Sequence, residues 1–149
     1  MSAQQLNFGE PSHTLDGSPN GVQVVPDLID FETERLFIQA IDVHAWSADL
    51  TRRVQHFGWR YDYKSRSVRA DQYLGPLPEF LAPLLAERVA QQCGSVANQA
   101  IVNEYLPGQG IAPHVDCEPC FGPTHCDGWA RQRRPDGLRR TQLGCRLER

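Results

Sequence analysis

Asn103-Glu104-Tyr105-Leu106-Pro107-Gly108-Gln109-Gly110-Ile111-Ala112-Pro113-His114-Val115-Asp116 is the stretch on which the reading of this chain turns. Gln99 to Leu106 is partly β-branched and alternates in polarity, as a strand does, and Pro107-Gly108 with Gly110 then breaks it. Side chains two apart on an extended backbone share a face, so Ile101, Asn103 and Tyr105 look one way, and His114 and Asp116 form a second matched pair. An imidazole and a carboxylate so placed can chelate one metal ion from one side. With a second His they make the facial triad of non-haem iron(II) oxygenases, whose open positions take a cosubstrate and O₂. His-x-Asp alone carries little weight, because His125-Cys126-Asp127 repeats it. Asn103 and Tyr105 add an amide and a phenol, a polar lining for an acidic ligand one turn from the pair. The plainer alternative makes them surface residues of an edge strand.

Working outward, Val22 to Val25 reads as a short strand ended by Pro26. Asp30 is a suitable N-cap, Glu32 and Glu34 suit a helix N-terminus, and Leu36, Phe37, Ala40 and Ile41 make an apolar stripe. The spacing predicts a helix over 31–44. Trp59-Arg60-Tyr61-Asp62-Tyr63-Lys64 alternates aromatic with charged residues and predicts a strand with one covered face. A second helix is expected from Pro83 to Gln92, with Leu84, Leu85, Arg88 and Val89 on its stripe and Gly94 as its stop.

The 149 residues suit one domain, 40% apolar and 22% charged. No run approaches the ~18 apolar residues of a membrane span, and Met1 to Pro19 is too polar for a signal peptide. Residues 1–21 read as a flexible leader, and the chain is placed in the cytoplasm as a monomer. The five cysteines (Cys93, Cys117, Cys120, Cys126 and Cys145) are then expected to be reduced thiols or metal ligands rather than a disulfide framework. The formal charge of -3 hides a balance of -7 up to Thr124 and +4 beyond it. The acidic front is a poor match to phosphate backbones, so any nucleic-acid contact has to be a local patch.

The Asn103–Asp116 stretch resembles the N-x-Y-x-x-G-x-G-I-x-x-H-x-D segment of AlkB-like dioxygenases. Phe121-Gly122 fits a branch of that family, and Gln55 to Tyr63 is similar to its aromatic segment near the substrate lid. The likeness covers roughly residues 22–124. It implies an α+β fold, a double-stranded β-helix (jelly roll) with N-terminal helices packed outside. It implies Fe(II) held by His114 and Asp116, and 2-oxoglutarate held by Asn103 and Tyr105. Arg60, Tyr61 and Tyr63 either contact the substrate or pack in the core. The implied reaction is oxidative demethylation of N-alkylated nucleobases, which makes nucleic acid the expected partner.

The chain also departs from that pattern. The family places a second metal His several dozen residues beyond the Asp, followed by an R-x₅-R pair. Here the later His is His125, nine residues on, and Arg134/Arg140 and Arg133/Arg139 match R-x₅-R only within an Arg-rich tail. From His125 onward there is no Val, Ile, Phe, Tyr or Met. Residues 125–149 are therefore expected to be disordered, to pack little and to supply no strand. The natural reading frame is expected to be lost near Thr124, leaving the jelly roll incomplete and the chain inactive, with no catalytic residue beyond the metal and cosubstrate ligands. Translating the other frames tests this. Two alternatives remain: a non-catalytic fragment, and a zinc-knuckle-like module on Cys117, Cys120 and His125 whose fourth ligand would fall at Ala130.

Overall fold

The computed structural model of the chain describes residues 22, 24–48, 50–121, 125–134 and 137–147. The expected leader, 1–21, lies outside them. The chain divides into two compact units, Met1–Asp30 and Phe31–Arg149. In the first, of the described residues in the strand expected over Val22–Val25, Val24 makes an isolated bridge.

The second unit opens with α1 (Phe31–Asp42), carrying Glu32 and Glu34 in its first turn. Its buried stripe is Phe37, Ile38 and Ile41, whereas Leu36 is exposed. The helix is thus rotated slightly from the expected phase. Then come β1 (Arg53–Phe57), a π-helical segment (Pro83–Val89) running into α2 (Ala90–Cys93), and β2 (Ala97–Tyr105). Gly94 closes α2 in the left-handed region (φ 68°), the backbone state that glycine adopts without a Cβ clash. A short α3 (Glu118–Phe121) leads to β3 (His125–Arg134) and β4 (Gly137–Leu147).

The four strands form one antiparallel sheet in the order β1-β2-β4-β3. Its register assigns the faces. Ala100 and Val102 of β2, with Leu143 and Cys145 of β4, turn toward Phe37, Ile41, Leu81, Leu85 and Val89 and make the core. The residues between them, Ile101, Asn103, Gln142 and Gly144, face the other way. Gln55 ties β1 to the end of α1 by donating from Nε2 to the Ile41 and His44 carbonyls. Glu104, nearly fully buried on the core side, is paired with Arg53 directly opposite.

Three expectations are corrected. The stretch from His125 is not outside the sheet: it supplies β3 and β4, and β4 lies beside β2 along nearly its whole length. Apolar content misled because a strand needs burial only at every second residue. Thr141, Leu143 and Cys145 meet that need, each 4% exposed or less. The strand expected over Trp59–Lys64 is instead a turn-rich excursion with isolated bridges Trp59–Tyr73 and Asp62–Ser67. Cys117 and Cys120 are disulfide-bonded rather than reduced. One helical turn puts their Cα atoms 5.2 Å apart, within bridging range. That bond also removes both thiols from the zinc-knuckle alternative.

The α+β class holds. Among the described residues there is one sheet, and no second sheet closes over it into a jelly roll. No helix among them is long and apolar enough to cross a membrane.

Candidate functional site

The sheet face opposite the core floors a cavity of about 740 Å³. β2 contributes Gln99, Ile101 and Asn103, β4 contributes Gln142 and Gly144, and β3 contributes His125 and Asp127. Arg52, Tyr61 and Tyr63 wall one side, and the loop through His114 and Asp116 borders another. β2 is an inner strand here, flanked by β1 and β4, so Asn103 and Tyr105 are not edge residues.

A polar chain crosses this face. Arg52 Nε donates to Asn103 Oδ1 (2.9 Å), which orients the Asn103 amide. Asn103 Nδ2 (3.4 Å) and the Tyr105 hydroxyl (3.1 Å) both donate to Gln142 Oε1. Gln142 Nε2 donates to Asp127 Oδ1 (3.0 Å), which also faces His125 Nε2 (3.3 Å). Burial lifts the Tyr63 phenol to about 12 and raises Tyr105 as well, so both rings are neutral donors at ordinary pH.

At the other end, His114 Nδ1 lies 2.9 Å from the Ala112 carbonyl oxygen. A carbonyl only accepts, so Nδ1 carries the proton of the neutral ring and Nε2 keeps its lone pair. That Nε2 faces Asp116 Oδ1 at 3.4 Å, with both side chains about half exposed. Two lone-pair donors converging from one loop, with the imidazole oriented by a backbone carbonyl, are what a divalent cation uses. The third donor is where the fit fails. His125 Nε2 is 3.8 Å from Asp116 Oδ2 but nearer Asp127, whose hydrogen bond raises the His125 pKa and holds the proton on that nitrogen. Among the described residues no three His, Cys, Asp or Glu side chains are grouped to hold a metal ion. Among the described residues, His114 and Asp116 thus converge as two donors with no third grouped beside them.

Of the residues singled out in the sequence, Asn103, His114, Asp116, Tyr61 and Tyr63 border this one cavity, and Tyr105 bonds into its floor through Gln142. Arg60 does not: its side chain is exposed and its backbone N–H bonds to Gln72. Arg52 and Gln142 went unnoticed in the sequence, and His125 and Asp127 were set aside there as a repeat of His-x-Asp in an Arg-rich tail. The alternation Gln142-Leu143-Gly144-Cys145 could have signalled a strand with one polar face, had the arginines around it not been read as disorder.

Several curated proteins are similar. An alkylated DNA repair protein ALKBH8 homolog from Arabidopsis thaliana is 34% identical over 129 residues, covering 80% of this chain and 37% of that protein. The tRNA (carboxymethyluridine(34)-5-O)-methyltransferase ALKBH8 of Mus musculus is 30% identical over 131 residues, 80% of this chain and 18% of its own. A probable RNA/DNA demethylase ALKBH6 from Danio rerio is 31% identical over 110 residues, 72% of this chain and 45% of the relative. The chain spans less than half the length of each. No family model and no solved structure matches. The likeness to AlkB homologues extends over most of the chain, a far longer stretch than Asn103–Asp116 alone, and it makes this chain a member of the AlkB-like dioxygenase family.

Proposed function

We propose that the cavity is the cosubstrate and metal end of a 2-oxoglutarate- and Fe(II)-dependent dioxygenase site that demethylates N-alkylated nucleobases in nucleic acid. The 149-residue chain by itself carries that site in a form that does not turn over. The observation that carries the reading is the convergence of His114 Nε2 and Asp116 Oδ1 beside a floor built from Asn103, Tyr105 and Gln142. The names of the relatives, a repair protein and a probable RNA/DNA demethylase, support a nucleic-acid substrate. In the family's full fold the sheet described here is one wall of a jelly roll.

Each residue has a part that needs no metal. Asn103 Nδ2, with one hydrogen on Gln142, has a second to offer a carboxylate, and the neutral Tyr105 phenol would offer its one hydrogen by exchanging Gln142 for the ligand. Gln142 holds both donors in place by accepting from each. Tyr61 and Tyr63, packed edge to face at 5.0 Å, give an apolar wall that a planar base could lie against. His114 and Asp116 would bind a divalent cation weakly, since the third donor, His125, is turned to Asp127.

The test is titration of Mn(II) into ¹⁵N-labelled protein, followed as paramagnetic line broadening. Broadening centred on His114 and Asp116, reversed by chelator and absent in His114→Ala, is expected. Broadening centred on other carboxylates, or unchanged in His114→Ala, would refute the assignment.

A further inference from the structure

Arg52 stands one residue before β1, yet its side chain lies in the cavity rather than in solvent. Its guanidinium carbon is 6.0 Å from the centroid of the Tyr63 ring and 5.7 Å from that of Tyr105, so it is held between two aromatic rings. Nε is tied to Asn103 Oδ1. A guanidinium fixed at Nε, hydrogen-bonded to the Tyr63 phenol and packed against aromatic rings has lost most of its freedom, while its remaining N–H groups offer donors in the same plane. Such donors match a carboxylate, and ordering the group beforehand lowers the cost of binding one.

The R-x₅-R pairs of the sequence do not fill this role from the described side chains. Arg140 is exposed, is paired across the sheet with Tyr105, and does not line the cavity. Arg66, the other arginine on the lining, is exposed and donates to the Val115 carbonyl at 3.3 Å. Arg52 is the lining arginine whose partners are those of the cosubstrate floor: Asn103 by hydrogen bond and Tyr105 by ring contact.

We propose that Arg52, ordered by Asn103 and held between Tyr63 and Tyr105, is the cation that receives a carboxylate of a small dicarboxylate in this cavity. The inference rests on the cavity being a 2-oxoglutarate site, and it assigns that site's charge to the approach to β1. The Tyr63 and Tyr105 phenols stay protonated and so add no competing negative charge. An arginine before β1 does for the ligand what a later arginine would otherwise do.

The test is calorimetric titration of 2-oxoglutarate into the 149-residue chain with chelator present, comparing wild type, Arg52→Gln and Arg52→Lys. The wild-type Arg52 Nε–H resonance is followed in parallel, so the result does not depend on a variant folding. Loss of a charge-assisted hydrogen bond is expected to weaken binding by roughly ten- to a hundredfold in Arg52→Gln. Arg52→Lys, with charge but no fork, should fall between, and ligand should shift the Nε–H resonance. Equal binding in wild type and Arg52→Gln, with an unmoved Nε–H, would overturn the inference and leave the cosubstrate reading standing. No binding to wild type at all would remove both. Inorganic phosphate displacing 2-oxoglutarate at equal concentration would make this a general anion site and overturn the dicarboxylate assignment.

Discussion

Leu143→Ala separates a packed β4 from a loose tail. Leu143 is 4% exposed, in the core cluster with Val102 of β2 and Leu85 of the π-helical segment. The substitution removes three buried carbons, about 2.4 kcal/mol at roughly 0.8 kcal/mol per buried methylene. A cavity term brings the usual cost to about 2–5 kcal/mol. Against a total stability of roughly 5–15 kcal/mol, that is a large fraction. At roughly 3 °C per kcal/mol for a chain of this length, the melting midpoint should drop by about 6–15 °C. Urea unfolding followed by circular dichroism, with melting in parallel, reads both. A change within about 0.5 kcal/mol, the ordinary range for surface substitutions, would show that β4 is not part of the core and would undo the description of the sheet.

Arg53→Met removes the cation directly opposite buried Glu104 and should cost roughly 1–3 kcal/mol, below the figure for a fully buried pair because Arg53 is half exposed. Urea midpoints check it, and the double variant Arg53→Met/Glu104→Met should recover much of the loss. Tyr63, raised by burial to about 12, should give a late ionisation step in an ultraviolet titration of the tyrosines. Because its folded pKa lies above the unfolded value of about 10, its contribution is present below pH 10 and is lost as pH rises through 12. Tyr63→Phe should remove that late step and flatten the loss of stability over the same window; an unchanged titration would contradict the burial. With only two donors converging among the described side chains, the chain supplied with Fe(II), ascorbate and 2-oxoglutarate should release no more succinate than His114→Ala. Release above that control would mean that His125 swings from Asp127 to complete the donor set.

What could be read in the sequence was governed by local periodicity. The helix from Phe31, the helical run from Pro83 closed by Gly94, and the strand bearing Asn103 and Tyr105 all announce themselves through spacing and stop signals. The His114/Asp116 pair did so through the turn before it. Two kinds of feature stayed hidden. One was non-local: β4 is a strand because β2 offers it a ladder and an apolar face, and that partner lies some forty residues upstream. The other was the chemistry of neighbours. Arg52 looks like a surface charge until β1 is paired with β2, which brings it onto Tyr105 and Asn103. His125 looks too close in sequence to Asp116, yet the turn through α3 carries it back within 3.8 Å. The Trp59–Lys64 alternation misled in the opposite direction, because its aromatic rings pack on one another and on Phe121 without a strand partner.

The claim that this sheet face is a cosubstrate site is tested most directly by mapping 2-oxoglutarate on ¹⁵N-labelled protein through chemical-shift changes. The account requires the shifts to cluster at Arg52, Asn103, Tyr105, Gln142, His114 and Asp116, with the core-side residues Val102 and Leu143 little moved. Shifts clustered instead on α1 or around the Arg53–Glu104 pair, or no shift at millimolar ligand, would contradict it.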